Sequence, residues 1–143
     1  MKGKGFRSNC PINYGLEMIG DGWSLLVVRD IIFANKHTFG EFIQSEEGIA
    51  RNILSNRLNK LIEKGMIKKE DHVSDKRKDY YQLTEKGIRL VPVLIELSLW
   101  SSEQEPETAD QANWIKKASL TNEELISLTH IAVNAGKSLF DVI

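Results

Sequence analysis

The chain has 143 residues, enough for one domain with a real core and too few to require two. With 41% hydrophobic and 27% charged residues it has the composition of an ordinary soluble protein, and it carries no repeat or low-complexity tract. Net charge is only −1, but positions 50–78 hold nine Lys/Arg against four Asp/Glu, while positions 101–143 hold three against seven. A basic centre in a neutral chain is a nucleic-acid footprint that the overall charge conceals. No run approaches the roughly 18 apolar residues of a membrane span, and the basic N-terminal residues lead into no apolar stretch of the signal-peptide kind. Cys10 is the single cysteine and has no intrachain disulfide partner. Together these features lead to the expectation of a cytoplasmic protein with no membrane contact.

In chain order, Pro11 suits the first turn of a helix, where its missing N–H would be unpaired in any case. Leu16 and Ile19, with Tyr14 or Met18 beside them, predict a short helix ending near Gly20, and Asp21-Gly22 breaks it. Residues 23–33 are apolar on most sides. A buried parallel strand competes for such a run, but its length favours a central buried helix. Thr38 is placed to cap a short helix over 39–44 that turns Phe39, Phe42 and Ile43 inward, and residues 45–48 form a turn.

Leu54, Leu58 and Leu61 then repeat at helical spacing and predict one buried stripe on a helix over about 50–64. Asn52, Asn56, Asn59 and Glu63 fall on the opposite face, flanked by Ser55 and Lys60. Asparagine costs a helix up to about 0.7 kcal/mol relative to alanine, so three on one face cost roughly 2 kcal/mol. A solvated face with incidental asparagines is the bland alternative. Asparagine is also the side chain that pairs bidentately with adenine in the major groove. Gly65 is a natural stop. Residues 66–73 and 80–83 read as two strands around a polar turn at 74–79, a wing of about 66–83. A helix with a polar outer face followed by a hairpin with a basic tip is the layout of a winged helix-turn-helix. The N-terminal half of such a helix faces base edges, which makes Arg51, Asn52, Ser55 and Asn56 the base-reading candidates. Thr38, Arg57, Lys60, Lys76, Arg77 and Lys78 are the phosphate candidates, although Arg57 lies near the buried stripe and has a second option of pairing within the domain.

Thr84 is placed to cap a long helix reaching about residue 102, apolar nearly all round and kinked at the interior Pro92. Such a helix needs cover on two sides. A small domain covers one, so the other is expected to meet a partner subunit, with Val91, Leu94, Ile95 and Trp100 as interface candidates. A charged linker over 103–110 separates residues 1–103, a DNA-binding and dimerisation domain, from a helical extension over 104–143. In that extension a short helix is expected around Trp114 and Ile115. Thr121 and Glu124 form a capping box that opens a final amphipathic helix. The extension suits a solvated cap on the dimer or a lid over an effector pocket.

Cys10-Pro11, Gly20-Asp-Gly-Trp23-Ser-Leu-Leu, Phe39-Gly-Glu-Phe42, Leu54-Ser-Asn-Arg57-Leu58, Gly65-Met-Ile, Tyr81-Gln-Leu-Thr84-Glu-Lys-Gly87 and Pro92-Val-Leu occur in that order. This combination resembles the HxlR family of bacterial winged helix-turn-helix regulators, which is related to the MarR group. The resemblance runs from about Cys10 to Trp100 and implies a mainly α fold with a small β-hairpin wing; the additional C-terminal helices expected beyond Trp100 fall outside it. It further implies a homodimer on a double-stranded, palindromic operator, acting as a repressor or less often an activator. It also makes Cys10 a candidate sensor of an oxidant or electrophile, since a helix N-terminus favours a thiolate. A small buried hydrophobe is the alternative role for that residue. The chain departs from the family pattern at Ala50, where a capping serine is usual, at Asp21-Gly22, and in a wing with Lys76-Arg77-Lys78 in place of paired prolines.

His37, His72 and His130 have no metal-ligand spacing, and no phosphate-cradling glycine loop or nucleophile elbow occurs. Neither an enzyme nor a cofactor is therefore expected. The rival function is a winged-helix protein-interaction module that does not bind DNA, which steep salt dependence of DNA binding would exclude.

Overall fold

In a computed structural model that describes residues 5–143, the leading helices are α1 (Pro11–Ile19), α2 (Ser24–Ala34) and the single turn α3 (Phe39–Phe42). The recognition-helix candidate is α4 (Arg51–Glu63), followed by strands β1 (Ile67–Asp71) and β2 (Asp79–Leu83). Helices α5 (Glu85–Ile88), α6 (Val91–Gln104), α7 (Ala109–Ala118) and α8 (Asn122–Ala135) complete the fold. Two 3-10 turns, Pro106–Thr108 and Leu139–Asp141, lie between α6 and α7 and near the end of the chain. Among the described residues no helix is long and apolar enough to cross a membrane.

The core forms where the apolar stripes converge. Val28 and Ile31 of α2, Phe42 of α3 and Leu54, Leu58 and Leu61 of α4 are almost fully buried, and Ile67, Val91 and Leu139 join them. Each such side chain contributes about 1.5–3 kcal/mol relative to exposure, so the leucine stripe alone holds α4 firmly on α2 and α3. β1 and β2 pair antiparallel from Ile67 opposite Leu83 to Asp71 opposite Asp79. The hairpin buries only its base: Ile67, Tyr81, Gln82 and Leu83 are inside, while β1 is exposed from Lys68 onward.

Gly87 explains how closely α5 seats the hairpin. A Cβ there would lie 2.1 Å from the Met66 carbonyl oxygen, well inside contact distance. The same carbonyl accepts the Thr84 N–H at 3.1 Å, and the Thr84 hydroxyl bonds to the Gly65 and Met66 carbonyls. Thr84 also accepts from Gly87 N–H as the cap of α5.

Three expectations need correction. Residues 84–102 are two helices, and Pro92 stands in the first turn of α6 instead of kinking an interior. There its missing N–H costs nothing, because first-turn donors have no helical acceptor. Second, Val91, Leu94 and Ile95 are 0%, 8% and 5% exposed, so they are spent in the chain's own core and are not interface residues. Only Trp100 of the four candidates is exposed; the open face of α6 carries Val93, Leu97 and Trp100. Third, residues 103–110 are not a linker: α6 runs through Gln104, and the Pro106–Thr108 turn leads directly into α7. α7 and α8 pack on α6, and Leu125 and Leu139 belong to the same core as α4.

Candidate nucleic-acid interface

α4 starts at Ala50, whose extended backbone forms the N-cap without any side-chain bond, after a turn that uses the left-handed conformation of Gly48. Arg51, Asn52, Ser55 and Asn56 are all exposed and share the open side of its N-terminal half, with Asn59 and Lys60 exposed beyond them. Arg51 rests its guanidinium 5.8 Å from the Phe39 ring centre. The Asn56 side-chain oxygen accepts from Arg57 Nη1 at 2.6 Å, which orients the amide without using its N–H donors.

Arg57 is committed inside the domain. Its Nε donates to Asp21 Oδ1 at 2.9 Å, and both side chains are only partly exposed. Asp21 also accepts from the backbone N–H groups of Trp23 and Ser24, at 2.8 and 2.9 Å, and from the Ser24 hydroxyl at 2.5 Å. Burial pushes its pKa upward, but these four donors together hold the carboxyl down at about 2. Asp21 therefore anchors the start of α2 and clamps the middle of α4 with one carboxylate. Thr38 is likewise engaged: it forms a capping box with Glu41, accepting from Glu41 N–H and donating to Oε1.

A second carboxylate system sets the approach to α4. Arg29 Nη1 and Nη2 grip both oxygens of Glu47 at 2.6 and 2.8 Å, while Nε and Nη2 reach Asp30 at 3.0 and 2.8 Å. The Arg29 hydrogen bonds hold the Glu47 carboxyl down at about 2. Ser45 donates to Asp30 and accepts from Lys36, so the whole turn before α4 is tied to α2. The sequence shows residues 45–48 only as a turn, and nothing local announces this network.

The wing is aimed by His37, another residue with no legible role in the sequence. Its carbonyl accepts Tyr81 N–H at 2.7 Å, its Nδ1 lies 2.9 Å from the Tyr81 carbonyl, and its ring stacks on Tyr80 at 4.4 Å. Burial lowers the His37 pKa, against the raising effect of its bond to the Tyr81 carbonyl. At the tip, His72 Nδ1 accepts from the Ser74 and Asp75 N–H groups at 3.2 Å each. Arg77 is paired with Asp75 at 3.1 Å, whereas Lys76 and Lys78 are exposed and make no ion pair among the described residues. Lys68 and Lys69 on β1 pair with Glu70 and Asp79.

Cys10 is the N-cap residue of α1; it is exposed, and its side chain makes no cap bond. Within the single chain it is therefore not a buried hydrophobe. Arg7, three residues before it, pairs with Glu17, 3.7 Å away. α1 itself buries no residue and leaves Ile12 and Leu16 exposed.

Residues 18–109 match the HxlR-like helix-turn-helix family. An uncharacterized HTH-type transcriptional regulator of Mycobacterium tuberculosis is 34% identical over 95 residues, which is 66% of this chain and 59% of that protein. This chain thus spans about three-fifths of the length of that relative. Among solved structures, PA1607, a transcription-factor candidate, superposes with a TM-score of 0.63 at 40% identity, over 68% of this chain and 66% of that one. The redox regulator HypR in its reduced form gives a TM-score of 0.58 at 25% identity, over 70% of this chain and 99% of that one.

Proposed function

This chain belongs to the HxlR-like helix-turn-helix family, and from that premise we propose that it is a homodimeric regulator that reads a palindromic operator through α4 and the wing. That it is a transcriptional regulator with a helix-turn-helix DNA-binding fold follows from the family itself. The finer assignment rests above all on the open face of α4, where Arg51, Asn52, Ser55 and Asn56 are exposed together beside a fully buried leucine stripe. These four residues read bases; Lys60, Lys76 and Lys78 hold phosphate, with Thr38 at the edge of the site. Arg57 supports Asn56 and leaves the phosphate grip to the lysines.

The partner is a second copy of the chain. The exposed Val93, Leu97 and Trp100 of α6, with Ile12 and Leu16 of α1, supply apolar surface for a two-fold contact. Such a dimer presents two copies of α4 to half-sites about 34–36 Å apart, or a multiple of that. Cys10, exposed at the start of α1 and without a second cysteine in the chain, carries an oxidant signal by forming a disulfide with its counterpart or a small thiol, the oxidant taking up the two electrons and two protons, or an electrophile signal by forming a bond from its sulfur to the electrophile. The protein works in the cytoplasm as a repressor of neighbouring genes.

The decisive experiment compares Asn52→Ala and Asn56→Ala on the operator, mapped by footprinting upstream of the gene's neighbours, and on random DNA. Each variant is expected to lose about 1–3 kcal/mol on the operator and little on random sequence. Equal losses on both would remove these residues as readers. Wild-type binding that does not weaken as salt rises would point to a winged protein-interaction module instead.

A further inference from the structure

A cavity of about 490 Å³ opens between α2, α6, α7 and the turn Leu139–Asp141, in a part of the molecule that the DNA interface does not use. Its size is that of a small-molecule site, for which about 300–1,000 Å³ is usual. Three aromatic rings from separate elements form one wall. Phe33 of α2 lies 5.8 Å from Trp114 of α7 and 5.2 Å from Phe140, and Trp114 meets Phe140 edge-on at 5.2 Å. Leu25, Leu26 and Leu94 add aliphatic surface, and the exposed Leu97 of α6 stands at the rim shared with the open face of that helix. Such rings offer offset and edge-on contacts to a flat aromatic guest.

The polar groups define the guest further. Ser98 and Thr108 spend their hydroxyls on the carbonyls of Leu94 and Glu105. Ser101 and the exposed Gln111 also line the cavity, and their side chains make no hydrogen bond among the described residues. Arg29 also lines it, but its guanidinium is already bound by the carboxylates of Asp30 and Glu47. An anionic guest would have to compete with two carboxylates already in place, so the cavity does not select for charge.

We propose that this cavity binds a neutral, planar aromatic molecule with one or two hydrogen-bonding groups, and that Arg29 relays its occupancy to α4. The rings stack on the guest while Ser101 and Gln111 satisfy its polar edge. Arg29 touches the cavity on one side and holds Glu47 on the other, four residues ahead of Arg51. A guest that shifts this guanidinium therefore shifts the turn that starts the recognition helix. The relay rests on the DNA-binding function proposed above; the binding site does not. The assignment also gives α7 and the last turn a role, since Gln111, Trp114 and Phe140 lie beyond the part of the chain that matches the family.

The test uses the full chain and the neutral fluorescent probe N-phenyl-1-naphthylamine. Wild type is expected to enhance its emission saturably, at a single site per protomer. Ser101→Phe, which fills the cavity from its polar side, should bind the probe about tenfold or more weakly, while circular dichroism and the unfolding midpoint confirm its fold. Unsaturable enhancement by wild type, or equal affinity in folded Ser101→Phe, overturns the site. Trp100→Glu, which opens the exposed face of α6, should leave probe affinity unchanged; loss of binding there would place the probe between two copies and also overturn it. For the relay, saturating probe should change wild-type affinity for the footprinted DNA but not that of Glu47→Gln, which loosens the Arg29 clamp from outside the cavity and should still bind probe. Probe binding with unaltered DNA affinity overturns the relay. Absence of DNA binding by the probe-free protein would instead overturn the proposed function and leave the binding site standing.

Discussion

Asp21→Asn keeps the shape of a side chain that holds two helices together and removes its charge. The asparagine oxygen retains acceptors for the Trp23 and Ser24 N–H groups, but the charge-assisted bonds from the Ser24 hydroxyl and Arg57 are weakened or lost. The carboxyl titrates near 2 in the fold against an ordinary value of 3.8; burial opposes this, and its hydrogen bonds win. Fully converted, such a shift is worth a little over 2 kcal/mol, but the side chain is 29% exposed and its interactions are partly screened. About 1–2 kcal/mol is the reasonable figure. Because the folded pKa is depressed, this stability is fully present above about pH 4 and lost as pH falls toward 2. Urea unfolding should therefore show a gap of about 1–2 kcal/mol between wild type and variant at pH 7, closing toward pH 2. DNA binding should move the other way. Freed from Asp21, Arg57 gains a phosphate partner, so affinity for random DNA rises and the salt slope steepens by up to about 0.9. A variant as stable as wild type at pH 7, or one with an unchanged salt slope, would show that Asp21 does not hold Arg57 back.

The wing prediction follows from the weakness of its internal pairing. Alanine at Lys76, Arg77 and Lys78 should flatten the salt slope by up to about 2.7, three contacts, because the Arg77 guanidinium is 91% exposed and its pair with Asp75 yields to phosphate at little cost; an unchanged slope places the tip away from DNA. Leu97→Glu and Trp100→Glu, both on exposed positions, should give folded monomers by light scattering at micromolar concentration, whereas Leu94→Glu, at 8% exposure, should unfold the chain. Glutamate variants at Leu97 and Trp100 that remain dimeric would move the interface elsewhere. Diamide should weaken operator binding by wild type and leave Cys10→Ser unaffected; if both respond alike, the signal does not enter through the thiol.

The features legible in the sequence are those set by local spacing. Leu54, Leu58 and Leu61 declare their own stripe, and the asparagines follow by geometry alone. Thr38, Thr84 and Thr121 cap the helices at the places their neighbours suggest. α6 was harder, because a helix apolar nearly all round does not say which side is inward. α7 and α8 decide that by packing against it, so Val91, Leu94 and Ile95 are core and Val93, Leu97 and Trp100 remain outside. Pro92 is ambiguous for a related reason: an unbroken apolar run hides the boundary between two helices.

Charge shows most clearly what sequence counting misses. Of the nine cations between positions 50 and 78, Arg57, Lys68, Lys69 and Arg77 have carboxylate partners, and Lys64 donates to the Glu17 carbonyl. Two of the partners, Asp21 and Glu17, are tens of residues away, where no local pattern announces them. The pairs at Lys68 and Lys69 are half exposed and weak, so a phosphate can displace them at little cost. Arg57 is different, because its partner is also fixed by the start of α2. Arg51, Lys60, Lys76 and Lys78 are left without an ion-pair partner among the described residues, a small reserve for gripping backbone. On the proposed reading, discrimination falls on the asparagine face of α4, where helix propensity was given up.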